Sequence, residues 1–80
     1  MSKHSRLAWR CHRGTRELDT LLQKFLASGF DQLSEEQQLL FDQFLDEQDP
    51  DIYNWITGFA IPANTDYLFL IQRLQNIYVS

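Results

Sequence analysis

Leu18, Leu21, Leu22, Phe25 and Leu26 fall at i, i+3, i+4, i+7 and i+8, the spacing of a helix that buries one face. The same period returns in Leu40, Phe41, Phe44 and Leu45, in Ile52, Trp55, Ile56 and Phe59, and in Tyr67, Leu70, Ile71, Leu74 and Tyr78. Ahead of them Leu7 and Cys11, with Ala8 beside them, make a narrower apolar seam. No stretch alternates with period two over more than a few residues, and no paired turn signal suggests a hairpin. The pattern predicts an all-α fold, a compact bundle of five short helices, with residues 1–80 as one domain.

Punctuation between the stripes sets the expected boundaries. Gly14 is expected to end the first helix in a left-handed conformation, Thr15 to cap the second, and Glu17 to fall in its first turn, where the backbone dipole favours negative charge. Ser28-Gly29 ends the second helix, and Phe30 and Leu33 should pin the following loop to the core. Ser34 opens the third helix, with Gln37 where a capping box places Glu or Gln. Asp49 is expected to cap the fourth with Pro50 at its first position, and Gly58 and Pro62 to close it. Asn64 or Thr65 then caps the last.

Length narrows the function. A chain of 80 residues buries only about 60% of the surface it exposes when unfolded, so a deep active site is not expected. One cysteine cannot form an internal disulfide, which points to a reducing compartment, the cytoplasm. No run approaches the roughly 18 apolar residues that span a bilayer. The Arg-rich first residues imitate a mitochondrial presequence, but their removal would leave the Gly14 corner with no helix to terminate. The free protein is expected to be a monomer.

Charge changes the picture more. The formal net charge of −4 conceals a polarity: residues 1–17 carry five basic side chains against one acidic, and residues 18–80 carry two against ten. Lys3, Arg6, Arg10 and Arg13 recur at steps of three, four and three, one stripe of a helix that leads into the corner Arg13-Gly14-Thr15-Arg16-Glu17. Arg13, Arg16 and Glu17 are expected to crowd one exposed corner. A basic patch on an acidic body suits an acidic protein surface or a phosphate better than extended nucleic acid. Trp9 fits neither the seam nor a polar surface, so it is either an interface anchor or packed beneath a later helix.

Catalytic chemistry is not recognisable. His4, Cys11 and His12 are the soft metal ligands, but His12 turns aside from the other two on a helix and no fourth ligand is nearby. Cys11 and His12, as helix neighbours, point about 100° apart and cannot readily share a proton. Cys11 reads as a small core residue. Asp42, Asp46, Glu47, Asp49 and Asp51 form the densest acidic run, on a helix end and loop where a solvated face is the expectation. Gly14, Gly29 and Gly58 are too scattered for a phosphate loop.

Arg13-Gly14-Thr15-Arg16-Glu17-Leu18-Asp19, preceded by Trp9 and Cys11, resembles the RGxxE motif of the small FAD assembly factors of succinate dehydrogenase. Leu33-Ser34, Asp49-Pro50-Asp51, Asn54-Trp55 and Pro62-Ala63 resemble the same family in the same order, over roughly residues 6–75. One departure is that the chain stops at Ser80, without the longer polar tail of some members. The resemblance implies a five-helix assembly factor, not an enzyme, that promotes covalent attachment of FAD to the flavoprotein subunit of succinate dehydrogenase or fumarate reductase. It implies that FAD is carried by the client, with no cofactor of the factor's own, while the ligand spacing, charge and hydropathy read above leave no metal and no nucleic-acid or membrane partner expected. Arg13, Gly14 and Glu17 carry over as partner-binding positions from the motif, and Trp9, Arg10 and Arg16 join them by adjacency. The alternative expectation is an antitoxin-like or regulatory protein-binding module.

Overall fold

The hydrophobic stripes become helices α1 (Lys3–Arg10), α2 (Arg16–Ser28), α3 (Glu35–Phe44), α4 (Asp49–Thr57) and α5 (Leu68–Tyr78). Single 3₁₀ turns at Phe30–Gln32 and Thr65–Tyr67 lead into the loop before α3 and into α5. This computed structural model describes residues 3–79; the side chain of Lys3, first member of the basic stripe, lies outside the described part. The expected five-helix, all-α architecture is what forms, with no strand among the described residues. Helix α2 packs on α1 and α5, and α4 packs on α5, so α2 and α5 form the centre of the bundle.

Two aromatic clusters fill the interior. Phe41 meets Phe25 and Phe30 with ring centroids 5.1 and 5.7 Å apart, and Phe44 meets Tyr67 edge-on at 5.1 Å and Trp55 at 5.9 Å. Leu7, Cys11, the whole α2 stripe, Leu33, Ile52, Ile56, Leu70, Ile71 and Leu74 complete a continuous core. Tyr67 is buried, but its hydroxyl donates to Glu47 Oε2 at 3.3 Å, which gives the phenol of that cluster a partner. The Ser34–Gln37 capping box forms in both directions, at 3.0 and 3.2 Å. Asn64 accepts from the Asp66 backbone N–H and opens the turn into α5.

Several boundaries differ from expectation. Helix α1 ends at Arg10, not Gly14, and Gly14 is not left-handed; Gly58, at φ 87°, is the described glycine with positive φ. The chain leaves α1 early because Arg13 reaches across to the loop between α3 and α4, a path a continued helix would not take. Thr15 occupies the cap position of α2 without a side-chain hydrogen bond. Gln48 replaces Asp49 as the cap of α4, because the Asp49 carboxylate is turned to Arg13. Phe59, expected inward, is 81% exposed. Left-handed Gly58 folds the chain back so that the Phe59 and Ala60 N–H groups bond the Asn54 carbonyl, which swings the Phe59 ring out.

Among the described residues nothing lies within 4 Å of where a Cβ on Gly58 would stand, so Gly58→Ala meets backbone strain alone. It should lower stability by about 1–2 kcal/mol, read as a shift of the urea unfolding midpoint with unchanged slope.

Candidate functional site

Between α1 and α2 the chain runs from Cys11 to Thr15 without helix, and its side chains divide sharply. The Arg13 guanidinium turns inward, and its side chain is only 14% exposed. One terminal nitrogen donates to the carbonyls of Leu45 at 2.9 Å and Glu47 at 3.1 Å. Its Nε sits 3.1 Å from Asp49 Oδ1, yet its N–H is not directed at that oxygen, so the contact is ionic. Leu45 follows the last turn of α3, where unpaired carbonyls gather negative charge, and a guanidinium answers them.

The basic stripe is answered from within the chain. Arg6 makes a forked contact with Asp42 at 3.2 and 3.3 Å. Arg10 donates to the Asp42 carbonyl at 2.9 Å and also meets the carboxylates of Asp42 and Asp46. The expectation of a solvated face for the acidic run is therefore corrected at Asp42, Asp46 and Asp49, which pack against Arg6, Arg10 and Arg13. Burial alone would raise the Asp42 carboxyl, but the hydrogen bonds and charges of Arg6 and Arg10 outweigh it and hold the group below its ordinary value.

Outward from this clamp lie Trp9, Gly14, Arg16 and Glu17. Trp9 is 70% exposed, which removes the reading in which it packs beneath a later helix. Its ring stands edge-on to His12 at 5.9 Å, and His12 is held near Asp19 at 3.4 Å. Gly14 is exposed, and a Cβ there would approach nothing closer than Asp49 Oδ2 at 4.0 Å. Arg16 makes no side-chain ion pair or hydrogen bond among the described residues. Glu17 accepts a 3.0 Å hydrogen bond from the Tyr78 hydroxyl. Arg13, Arg16 and Glu17 thus do not form one exposed corner: Arg13 is behind it, and Gly14, Arg16 and Glu17 form its surface.

Glu17 lines two depressions. One runs past Thr15 to Asp49, Pro50 and Tyr53; the other, an open groove of about 690 Å³, runs along α2 against the end of α5. Sequence reasoning placed Tyr78 in the core and gave Lys24 and Asp49 no part here. Tyr78 ends the α5 stripe, where a ring can pack while its hydroxyl stays wet, which was the available signal. The carboxylate beside Tyr78 pushes its phenol up to about 12 through their hydrogen bond, so the hydroxyl keeps its proton and remains a donor.

The thiol and imidazole groups are each accounted for by local packing or pairing. Cys11 is buried, and burial pushes its thiol up to about 11 despite the nearby Arg13, the opposite of an activated nucleophile. His4 is bonded to Asp31 at 2.9 Å, away from His12, and no group of three metal-ligating side chains occurs among the described residues. No described helix is long and apolar enough to cross a membrane.

Fold and site define a small helical protein that presents a glycine-centred charged surface beside an open groove. The family described as the flavinator of succinate dehydrogenase matches residues 5–78, and the chain belongs to it. The chain is 50% identical over 72 residues to the FAD assembly factor SdhE of Legionella pneumophila (strain Paris), covering 90% of each. It is 33% identical to the protein of that name from Coxiella burnetii, over 90% of this chain and 88% of the relative. With that from Photorhabdus laumondii it shares 35% identity over 90% of this chain and 82% of the relative.

Arg13→Ala should cost about 2–3 kcal/mol in chemical denaturation, because it strips two carbonyls of a charged donor. Arg13→Lys should recover little of this, since one ammonium cannot span both carbonyls and Asp49. The folded-state pKa of Asp42 is lowered, so its contribution is fully present above the ordinary carboxylate value and is lost as pH falls through the lowered one. The melting temperature should therefore drop below about pH 4, and Asp42→Asn should lower it at pH 7 while making the acid limb shallower.

Proposed function

We propose that this protein is a cytoplasmic assembly factor that binds the flavoprotein subunit of succinate dehydrogenase or fumarate reductase and promotes covalent attachment of FAD. Gly14 carries the reading. It is exposed, it does not use a left-handed backbone, and the fold leaves open space where its side chain would be. Nothing among the described residues calls for glycine here, whereas a partner's backbone laid against this corner does. Family membership and the names of the relatives support the same client.

The bond itself is made within the client, where a histidine attacks the flavin 8α carbon after the ring system has tautomerised. On this reading the factor supplies no acid or base and keeps no FAD of its own. It binds the client in the arrangement where FAD is seated and the histidine aligned, and so raises the population of a reaction-ready state. Glu17, with one carboxylate oxygen engaged by Tyr78, presents the other to a client donor, while Trp9 supplies an aromatic anchor. Arg13 and Arg10 act from behind, by fixing the loop on which Gly14 is displayed.

Gly14→Arg and Glu17→Ala should keep the wild-type melting temperature within a few degrees, because neither position is buried. Each should lower the rate of client flavinylation at least tenfold, followed as covalent flavin fluorescence of the denatured client with the variant as the added factor. Normal flavinylation by both folded variants would refute the assignment.

A further inference from the structure

The chain carries seven basic side chains, and the structure shows how most are used. Arg6, Arg10 and Arg13 are taken up by Asp42, Asp46, Asp49 and the carbonyls around them. Arg73 lies over the Phe69 ring, 6.0 Å from its centroid. With the Lys3 side chain outside the described part, Arg16 and Lys24 remain, exposed and without ion pair or side-chain hydrogen bond among the described residues. Both line the 690 Å³ groove between α2 and α5.

Between these two cations the groove has an apolar floor in Leu21 and Ile77. The carboxylate in its wall, Glu17, is already engaged by the Tyr78 hydroxyl at 3.0 Å. Arg16 stands in the first turn of α2, where the helix dipole adds to its positive field. Eight residues separate Arg16 from Lys24, about 12 Å along the helix axis. That spacing is matched by carboxylates about four residues apart on an extended strand, or about eight apart on a helix.

We propose that the α2–α5 groove receives an acidic segment of the flavoprotein client, with carboxylates on Arg16 and Lys24 and an apolar side chain between them on Leu21 and Ile77. Charge complementarity selects the occupant: two unmatched cations across an apolar floor suit an acidic, amphipathic segment. A second copy of this chain, at net charge −4, would bring its own repulsion. The groove adjoins the Gly14 corner through Glu17, so one client surface can cover both. The inference rests on the client reading above and adds where the client's acidic segment lies.

The test places a photo-crosslinking p-benzoylphenylalanine at Thr20, an exposed groove position, and irradiates the protein with the purified apo-flavoprotein subunit of succinate dehydrogenase. Mass spectrometry should place the adduct in a client segment with two carboxylates at one of the stated spacings. In parallel, Lys24→Glu should weaken client binding about tenfold at low salt, and the added Arg16→Glu further, with unchanged melting temperature. Arg73→Glu, the same charge change outside the groove, should alter binding less than twofold. Adducts with a second copy or with a segment lacking acidic residues, or equal effects of Lys24→Glu and Arg73→Glu, would overturn the groove assignment while leaving the client reading intact. A wild-type protein that neither binds nor flavinylates the client would remove both.

Discussion

The Arg13 guanidinium is the contact on which the rest of the arrangement turns. One nitrogen joins the carbonyls of Leu45 and Glu47, and its Nε lies against Asp49, so a single side chain ties the α1–α2 segment to the loop between α3 and α4. Those carbonyls belong to a helix end and the turn after it, groups that would otherwise seek water. Their satisfaction draws the chain out of α1 after Arg10 and delivers Gly14 and Arg16 to the surface. The outward face of the motif is thus a consequence of its inward member.

Arg6 and Arg10 extend the same seam along α1 by closing on Asp42 and Asp46. Exposed ion pairs are worth little one at a time, but here three arginines from one segment meet three carboxylates from another, partly shielded and geometrically linked. A motif that reads as one patch therefore has two physical jobs. Loss of Arg13 or Arg10 loosens the platform, whereas on the proposed reading loss of Gly14 or Glu17 alters chiefly what a partner meets, with the Tyr78 hydrogen bond of Glu17 as its one internal contact among the described residues. Activity data on the four residues carry meaning only beside a melting curve.

The helices were legible because their information is local. The α2 stripe and the Ser34 box depend on neighbours within one or two turns, and each forms as the spacing implies, while Asn64 caps the 3₁₀ turn ahead of α5 and leaves Tyr67 at the cap position of the helix itself. The pairing of charges was not legible, because Arg6 and Asp42 stand 36 residues apart and periodicity says only which residues share a face. A segment count of charge showed a basic end and an acidic body, but could not show that one closes on the other. Phe59 failed for a related reason: its position in the stripe was right until Gly58 reversed the chain direction one residue earlier. Of the candidate site, the corner was found by its residue types, while Tyr78 and Lys24 joined it only through the packing of α5 on α2.

On the proposed reading the factor changes a reaction it does not perform, and that places a demand on its stiffness. A binder shifts its client between two arrangements only by the difference in affinity for them, and about 3 kcal/mol of difference corresponds to roughly 150-fold. If the binding surface deformed to suit either arrangement, that difference would shrink. The interior is built against such deformation: Phe25, Phe30 and Phe41 interlock on one side, Phe44, Trp55 and Tyr67 on the other, and each ring has few torsions to relax. The Arg13 clamp carries that rigidity to the one non-helical stretch that needs it, the display of Gly14. On that reading a small helical protein favours one state of a larger one, provided the surface it offers holds its shape.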